Sequence, residues 1–201
     1  MPFNSDAALI AASPQAVPAR RTFMARATTL LAAASLATRG TSAQAASLQV
    51  GSPAPALTLS TIDGRKIDTR SMQGRVLILT FWATWCEPCR LELPLLSQFA
   101  EAHRGDGLEV LGFSLDSPSD MSDVRQVASK LSFPVGLLGS AYAGGYGRVW
   151  HLPVNFTIDR AGRLADNGWD DDNPTWTEQR LNKIVLPLLR QEPSANHVGR
   201  T

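Results

Sequence analysis

The sequence predicts an α/β fold with helices covering a central sheet, and three observations carry that prediction. Residues 75–82, Arg-Val-Leu-Ile-Leu-Thr-Phe-Trp, form a nearly unbroken apolar run of strand length without alternation, as in a strand buried on both faces. From Pro88 to His103 the residues Leu91, Leu95, Leu96, Phe99 and Ala100 recur every three or four positions, which is the helical period. The pattern then repeats, with a strand over 108–115 and a helix over 120–131 whose Met121, Val124, Val127, Ala128 and Leu131 share one face. A βαβα order places helices over a sheet. At 201 residues, 44% hydrophobic and 18% charged, the chain suits one domain with a proper core, and neither disorder nor a fibrous class is indicated.

Residues 1–45 differ from the rest. They are rich in Ala, Ser and Thr, and carry Arg20, Arg21 and Arg26 ahead of a short, weakly apolar run over 27–38. Ala43-Gln44-Ala45 then supplies a small-x-small cleavage pattern, so the three parts of a secretory signal peptide appear in order, with the cut expected after Ala45. Arg20-Arg21-Thr22-Phe23-Met24 resembles a twin-arginine export signal, and a general secretory signal fits as well. A run of about 12 apolar residues is too short to span a bilayer core of roughly 30 Å as a helix. The expected location is therefore periplasmic. Residues 46–201 hold 15 basic and 17 acidic side chains, a charge of about −2, which gives no footprint for nucleic acid or a polybasic membrane contact.

The exported domain is expected over 46–190. Residues 57–60 and 66–68 flank Thr61-Ile-Asp-Gly-Arg65 and read as a β-hairpin turning at Gly64. After the two βα units, a Gly-rich loop over 139–147 leads to Trp150-His-Leu-Pro153. A strand over 154–158 then pairs, through Asp159-Arg-Ala-Gly162, with one beginning near Arg163. The last helix is expected to open at Asn173-Pro174, a capping residue followed by proline at the first helical position, and to bend or end early at Pro187. Residues 191–201 read as a flexible tail. Asp170-Asp-Asp-Asn173 is read as a solvated cluster near a helix N-terminus, and His103 and His151 as solvent-facing or hydrogen-bonded bystanders.

The chain has two cysteines, Cys86 and Cys89, within Phe81-Trp-Ala-Thr-Trp-Cys-Glu-Pro-Cys-Arg-Leu-Glu-Leu-Pro94. A structural staple is disfavoured, because disulfide stabilisation grows with loop length and reaches about 3 kcal/mol only near 15 residues. A metal site is disfavoured by ligand count: two Cys and three His are few for a zinc site that needs three or four protein ligands. No metal and no cofactor is expected. A redox pair has a positive mechanism, since Cys-x-x-Cys across a strand end and a helix start puts Cys86 where free N–H groups and the helix dipole favour a thiolate. Cys86 is the expected nucleophile and Cys89, inside the first turn, the resolving thiol. Pro88 suits that turn, where its missing N–H costs least.

The same stretch resembles the TlpA/ResA-like thioredoxin-fold disulfide oxidoreductases. The likeness extends over about residues 48–190, through Val50-Gly-Ser-Pro-Ala-Pro-Ala-Leu57, Asp63-Gly64, Gly74-Arg75 and Leu152-Pro153 ahead of Phe156-Thr-Ile-Asp159. It implies a thioredoxin-like fold, a central mixed sheet flanked by helices, with an N-terminal β-hairpin and an inserted βα element over 108–137. It implies a cis peptide before Pro153 facing the cysteines, with Leu152 offering backbone groups to a substrate strand. It also matches Glu92 to an acidic residue near the cysteines, able to relay a proton to or from Cys89 if partly buried. Trp85, Glu87 and Pro88 join Leu152 as candidates for substrate contact, whereas Trp82 reads as core. Pro153-Val-Asn155 departs from the small hydroxyl residues usual after that proline.

The activity implied is thiol:disulfide exchange. Its direction is expected to be reduction of partner protein disulfides such as apocytochrome c, with electrons from a membrane thiol donor and the protein acting as a monomer. Glu87 disfavours the thiolate and Arg90 opposes it, and sequence does not rank the two. A disulfide oxidase or isomerase is the alternative, and a copper(I) metallochaperone a remoter one. A thiol peroxidase lacks its Pro-x-x-x-Thr-x-x-Cys arrangement here.

Overall fold

The computed structural model describes residues 48–191. The expected export signal lies outside them, as does the expected tail beyond Gln191. The described chain runs β1 (Thr58–Ser60), β2 (Lys66–Asp68), β3 (Val76–Trp82), α1 (Glu87–His103), β4 (Leu108–Ser114), α2 (Met121–Ala128), β5 (Val135–Leu137), β6 (Val154–Ile158), β7 (Leu164–Asn167) and α3 (Glu178–Leu189). β1 and β2 form an antiparallel hairpin, and the other strands form one five-stranded mixed sheet in the order β5-β4-β3-β6-β7. β3, β4 and β5 are parallel, while β6 and β7 are antiparallel to their neighbours. Among the described residues no helix is long and apolar enough to cross a membrane.

β3 is the centre of the molecule because all seven of its residues are buried. Its alternating side chains divide the core. Val76, Ile78 and Trp82 pack with Leu93 and Leu96 of α1, Val124 of α2, and Leu181 and Val185 of α3. Leu77, Leu79 and Phe81 face the other way, onto Leu59 of the hairpin, Tyr146 and Val149 of the Gly-rich loop, and Phe156 of β6. Helices thus cover one face, and the hairpin and loops cover the other. Pro94 removes one helical hydrogen bond from α1, yet the helix continues past it because Leu93, Leu96 and Ala100 are held in the core.

Three elements differ from the expectation, and the first is α2, which ends at Ala128 instead of Leu131. β5 has three residues, too short for a periodic signal, and is defined by its pairing with β4 and by the hairpin, where the Ile62 N–H donates to the Val135 carbonyl. α3 begins four residues later than the Asn173-Pro174 signal suggests. Its cap is Thr177, whose hydroxyl accepts from the Arg180 N–H. Residues 173–176 stay out of the helix because their backbone is committed elsewhere: the Pro174 carbonyl accepts from the Asn155 side chain and the Trp176 N–H donates to Glu92. Pro187 does not end α3, which runs on to Leu189.

Candidate active site

The register of the sheet assembles the site. β3 leads into the cysteine loop at its C-terminal end, and because β6 is antiparallel, Phe81 pairs with Val154, so Pro153 lies beside that end. The Leu152-Pro153 peptide is cis. β4, parallel to β3, delivers Asp116 to the same edge. That buried carboxylate accepts from the Thr84 N–H at 2.9 Å, the Thr84 hydroxyl at 2.7 Å and the Ser114 hydroxyl at 2.6 Å. It thereby fixes the backbone two residues ahead of Cys86.

Cys86 and Cys89 form a disulfide. Cys86 is the N-cap of α1, and its sulfur accepts the Cys89 N–H at 3.3 Å. Amides aimed at a sulfur in this position favour its anion once the bond is reduced. Cys86 is 5% exposed and Cys89 fully buried, so of the two only Cys86 reaches the surface. A cavity of about 330 Å³ opens there, lined by Trp85, Cys86, Glu87, Pro88, Leu115, Val149, Trp150, His151 and Leu152. The four residues singled out for substrate contact, Trp85, Glu87, Pro88 and Leu152, therefore converge on one hollow with Cys86. Trp85 and Trp150, 70% and 72% exposed, both line it.

Glu92 lies one turn past Cys89 on the buried face of α1. Beneath it, Thr80 of β3 and Asn155 of β6 pair in register, two fully buried polar side chains. The Glu92 carboxylate accepts the Trp176 N–H at 2.7 Å and the Asn155 side-chain amide at 3.3 Å. Burial pushes its pKa up to about 7, against the Trp176 and Asn155 hydrogen bonds and the positive charge of Arg180, which favour the anion. A buried acid poised near neutrality can take up and release a proton under ordinary conditions.

Sequence reasoning passed over Asp116, Trp176 and Arg180, and it read His151 as a bystander. His151 lines the Cys86 cavity, with its ring roughly perpendicular to those of Trp150, 4.2 Å away, and Trp169, 5.2 Å away. Its place two residues before Pro153 was the available signal. His103, by contrast, is far along α1 and pairs with Asp106. The acidic cluster is not simply solvated, because Asp171 pairs with Arg180. Among the described residues no group of three or more His, Cys, Asp and Glu side chains is arranged to hold a metal ion.

Residues 50–166 match the model of the AhpC/TSA family. Over 141 residues the chain is 30% identical to the thiol-disulfide oxidoreductase ResA of Bacillus thuringiensis, covering 69% of this chain and 80% of that one. It belongs to the TlpA/ResA-like thiol-disulfide oxidoreductases. Within this family it is also 30% identical over 122 residues to the thioredoxin-like protein YneN of Bacillus subtilis, covering 59% of this chain and 71% of the other. Among solved structures, a thiol:disulfide interchange protein of Chlorobium tepidum superposes with a TM-score of 0.59 at 26% identity, over 69% of this chain and 96% of that one. A secreted disulfide oxidoreductase of Mycobacterium tuberculosis gives 0.55 at 25% identity, over 65% and 95% of the two chains. This family member is a thiol-disulfide oxidoreductase of thioredoxin-like fold.

Proposed function

We propose that the protein is an exported reductant of protein disulfides, working through Cys86 and Cys89. The observation that carries this reading is the division of labour in the pair: Cys86 caps a helix at the edge of a cavity, while Cys89 is buried one turn from a carboxyl of raised pKa. The Cys86 thiolate attacks a partner disulfide, forming a Cys86–partner bond as the partner S–S bond breaks and its second sulfur leaves to be protonated. Glu92 accepts the Cys89 proton. The Cys89 thiolate then attacks Cys86, closing the intramolecular disulfide and releasing the reduced partner. Two electrons have passed to the partner, and a membrane thiol donor restores the dithiol.

Trp85, Glu87 and Pro88 on one side and Leu152-Pro153 on the other hold the partner's cystine segment, with the Leu152 backbone pairing to it as an added strand. The reductant direction is supported by Glu87 at the cavity, whose negative charge disfavours a thiolate beside it and so favours the disulfide form. Export is supported by the composition of residues 1–45, and apocytochrome c, with its Cys-x-x-Cys-His segment, is the proposed partner.

The reduction potential of the pair, measured by equilibration in graded thiol/disulfide buffers, tests the direction. A value near roughly −270 mV supports a reductant, and one near about −120 mV makes the protein an oxidase instead. Cys89→Ser should trap partners as mixed disulfides through Cys86. Recovery of no disulfide-linked protein from an extracytoplasmic fraction would count against the partner assignment.

A further inference from the structure

The shortest hydrogen bond to Glu92 comes from a segment that nothing in the cysteine motif specifies. Residues 173–176 cross the carboxyl outside any helix or strand, and what secures them is Arg180, in the first turn of α3. Its side chain is only 11% exposed. The guanidinium pairs with Asp166 of β7 at 2.8 Å, pairs with Asp171, donates to the Asn173 carbonyl at 3.2 Å, and lies over the Trp176 indole 5.1 Å from its centroid. It has no hydrogen bond to Glu92, Cys86 or Cys89.

We propose that Arg180 is a positioning residue for thiol-disulfide exchange: it clamps residues 171–176 so that the Trp176 amide and one positive charge are held against Glu92. This rests on the reading of Glu92 as proton acceptor for Cys89. The groups facing that carboxyl are Thr80 from β3, Asn155 from β6, Trp176 from the crossing segment and Arg180 from α3, with Cys89 one turn earlier on the buried face of α1. Thr80, Asn155 and Trp176 are neutral, so Arg180 supplies the favourable charge. Asp166 and Asp171 stand beyond it, already paired with it, and removing the guanidinium would leave both carboxylates uncompensated. The loss would therefore act twice on Glu92, by loosening its best donor and by making its surroundings more negative. Both changes disfavour the anion. Arginine is suited to the task because its planar fork can bond several acceptors while its face stacks on an indole, which lysine cannot reproduce.

The test compares wild type, Arg180→Met and Arg180→Lys, each with Glu92 intact and with Glu92→Gln. Two quantities are read: the pH profile of single-turnover reduction of a disulfide peptide, and the Glu92 carboxyl titration followed by carbon NMR in the oxidised protein. Arg180→Met should move both midpoints to higher pH by about half to one unit, slowing the reaction at pH 7 roughly two- to fivefold. Arg180→Lys, which keeps the charge but not the fork, should shift them less. In the Glu92→Gln background neither substitution should move the pH profile. A lowered melting temperature with the Glu92 midpoint unmoved would make Arg180 a purely structural residue and overturn the proposal. If Glu92→Gln alone leaves the rate profile unchanged, the proton-acceptor reading fails, and the NMR titration still decides whether Arg180 governs the carboxyl. If Arg180→Met does not fold, the Arg180→Lys titration carries the decision, and an unmoved midpoint there counts against the clamp.

Discussion

At the scale of single residues, Glu92 has the largest consequence outside the cysteines. Its carboxyl is near 4.5 when unfolded and about 7 in the folded protein, so the folded state binds a proton more tightly than the unfolded chain does. Stability is then free of this penalty below about pH 4.5, and it falls as pH rises until the group is ionised in both states above about 7. The loss across that window is about 3 kcal/mol for one buried group. Glu92→Gln should remove this component, so that denaturant unfolding of the oxidised variant at pH 5 and pH 8 differs less than in wild type. An equal pH dependence in the two proteins would mean that Glu92 is not the buried acid. The cysteines were legible in sequence because their spacing is local. Asn155, Trp176 and Asp116 were not, because each matters through a partner more than 30 positions away.

At the scale of elements, β3, α1 and β4 appear within a residue or two of where their patterns place them, whereas α2 stops three residues short at Ala128. α3 does not, because a capping signal at Asn173-Pro174 competes with tertiary hydrogen bonds that take up the Pro174 carbonyl and the Trp176 amide. Thr177 is the working cap, and Thr177→Ala should cost about 1 kcal/mol in denaturant unfolding, whereas Asn173→Ala should cost nothing as a cap. Gly168, just after β7, is required for close approach: a Cβ there would lie 2.3 Å from the Asn155 carbonyl oxygen and 2.9 Å from its nitrogen. Gly168→Ala should destabilise by about 2 kcal/mol, as overpacking does, and should also disturb the Glu92 titration through Asn155. A variant with unaltered stability would show that β6 and this turn can separate freely.

At the scale of the whole molecule, redox state and stability are linked, because any preference of the folded chain for the disulfide over the dithiol is also a difference in folding stability between the two. A reductant has a folded state that prefers the disulfide, so the oxidised protein should melt several degrees above the reduced one, and the reverse order would mark an oxidant. The amino-acid sequence by itself determined the α/β class and the redox pair, since these depend on local periodicity and on a spacing of three residues. Only the tertiary structure decided which further side chains surround that pair and what they touch. Antiparallel pairing of β6 with β3 brings Leu152 and His151 to Cys86, and in-register pairing places Thr80 and Asn155 beneath Glu92. The extended segment before α3 then supplies the Trp176 amide and the Arg180 clamp. Burial and long-range hydrogen bonds shift a carboxyl's proton affinity, and neither quantity exists until distant parts of the chain are packed together.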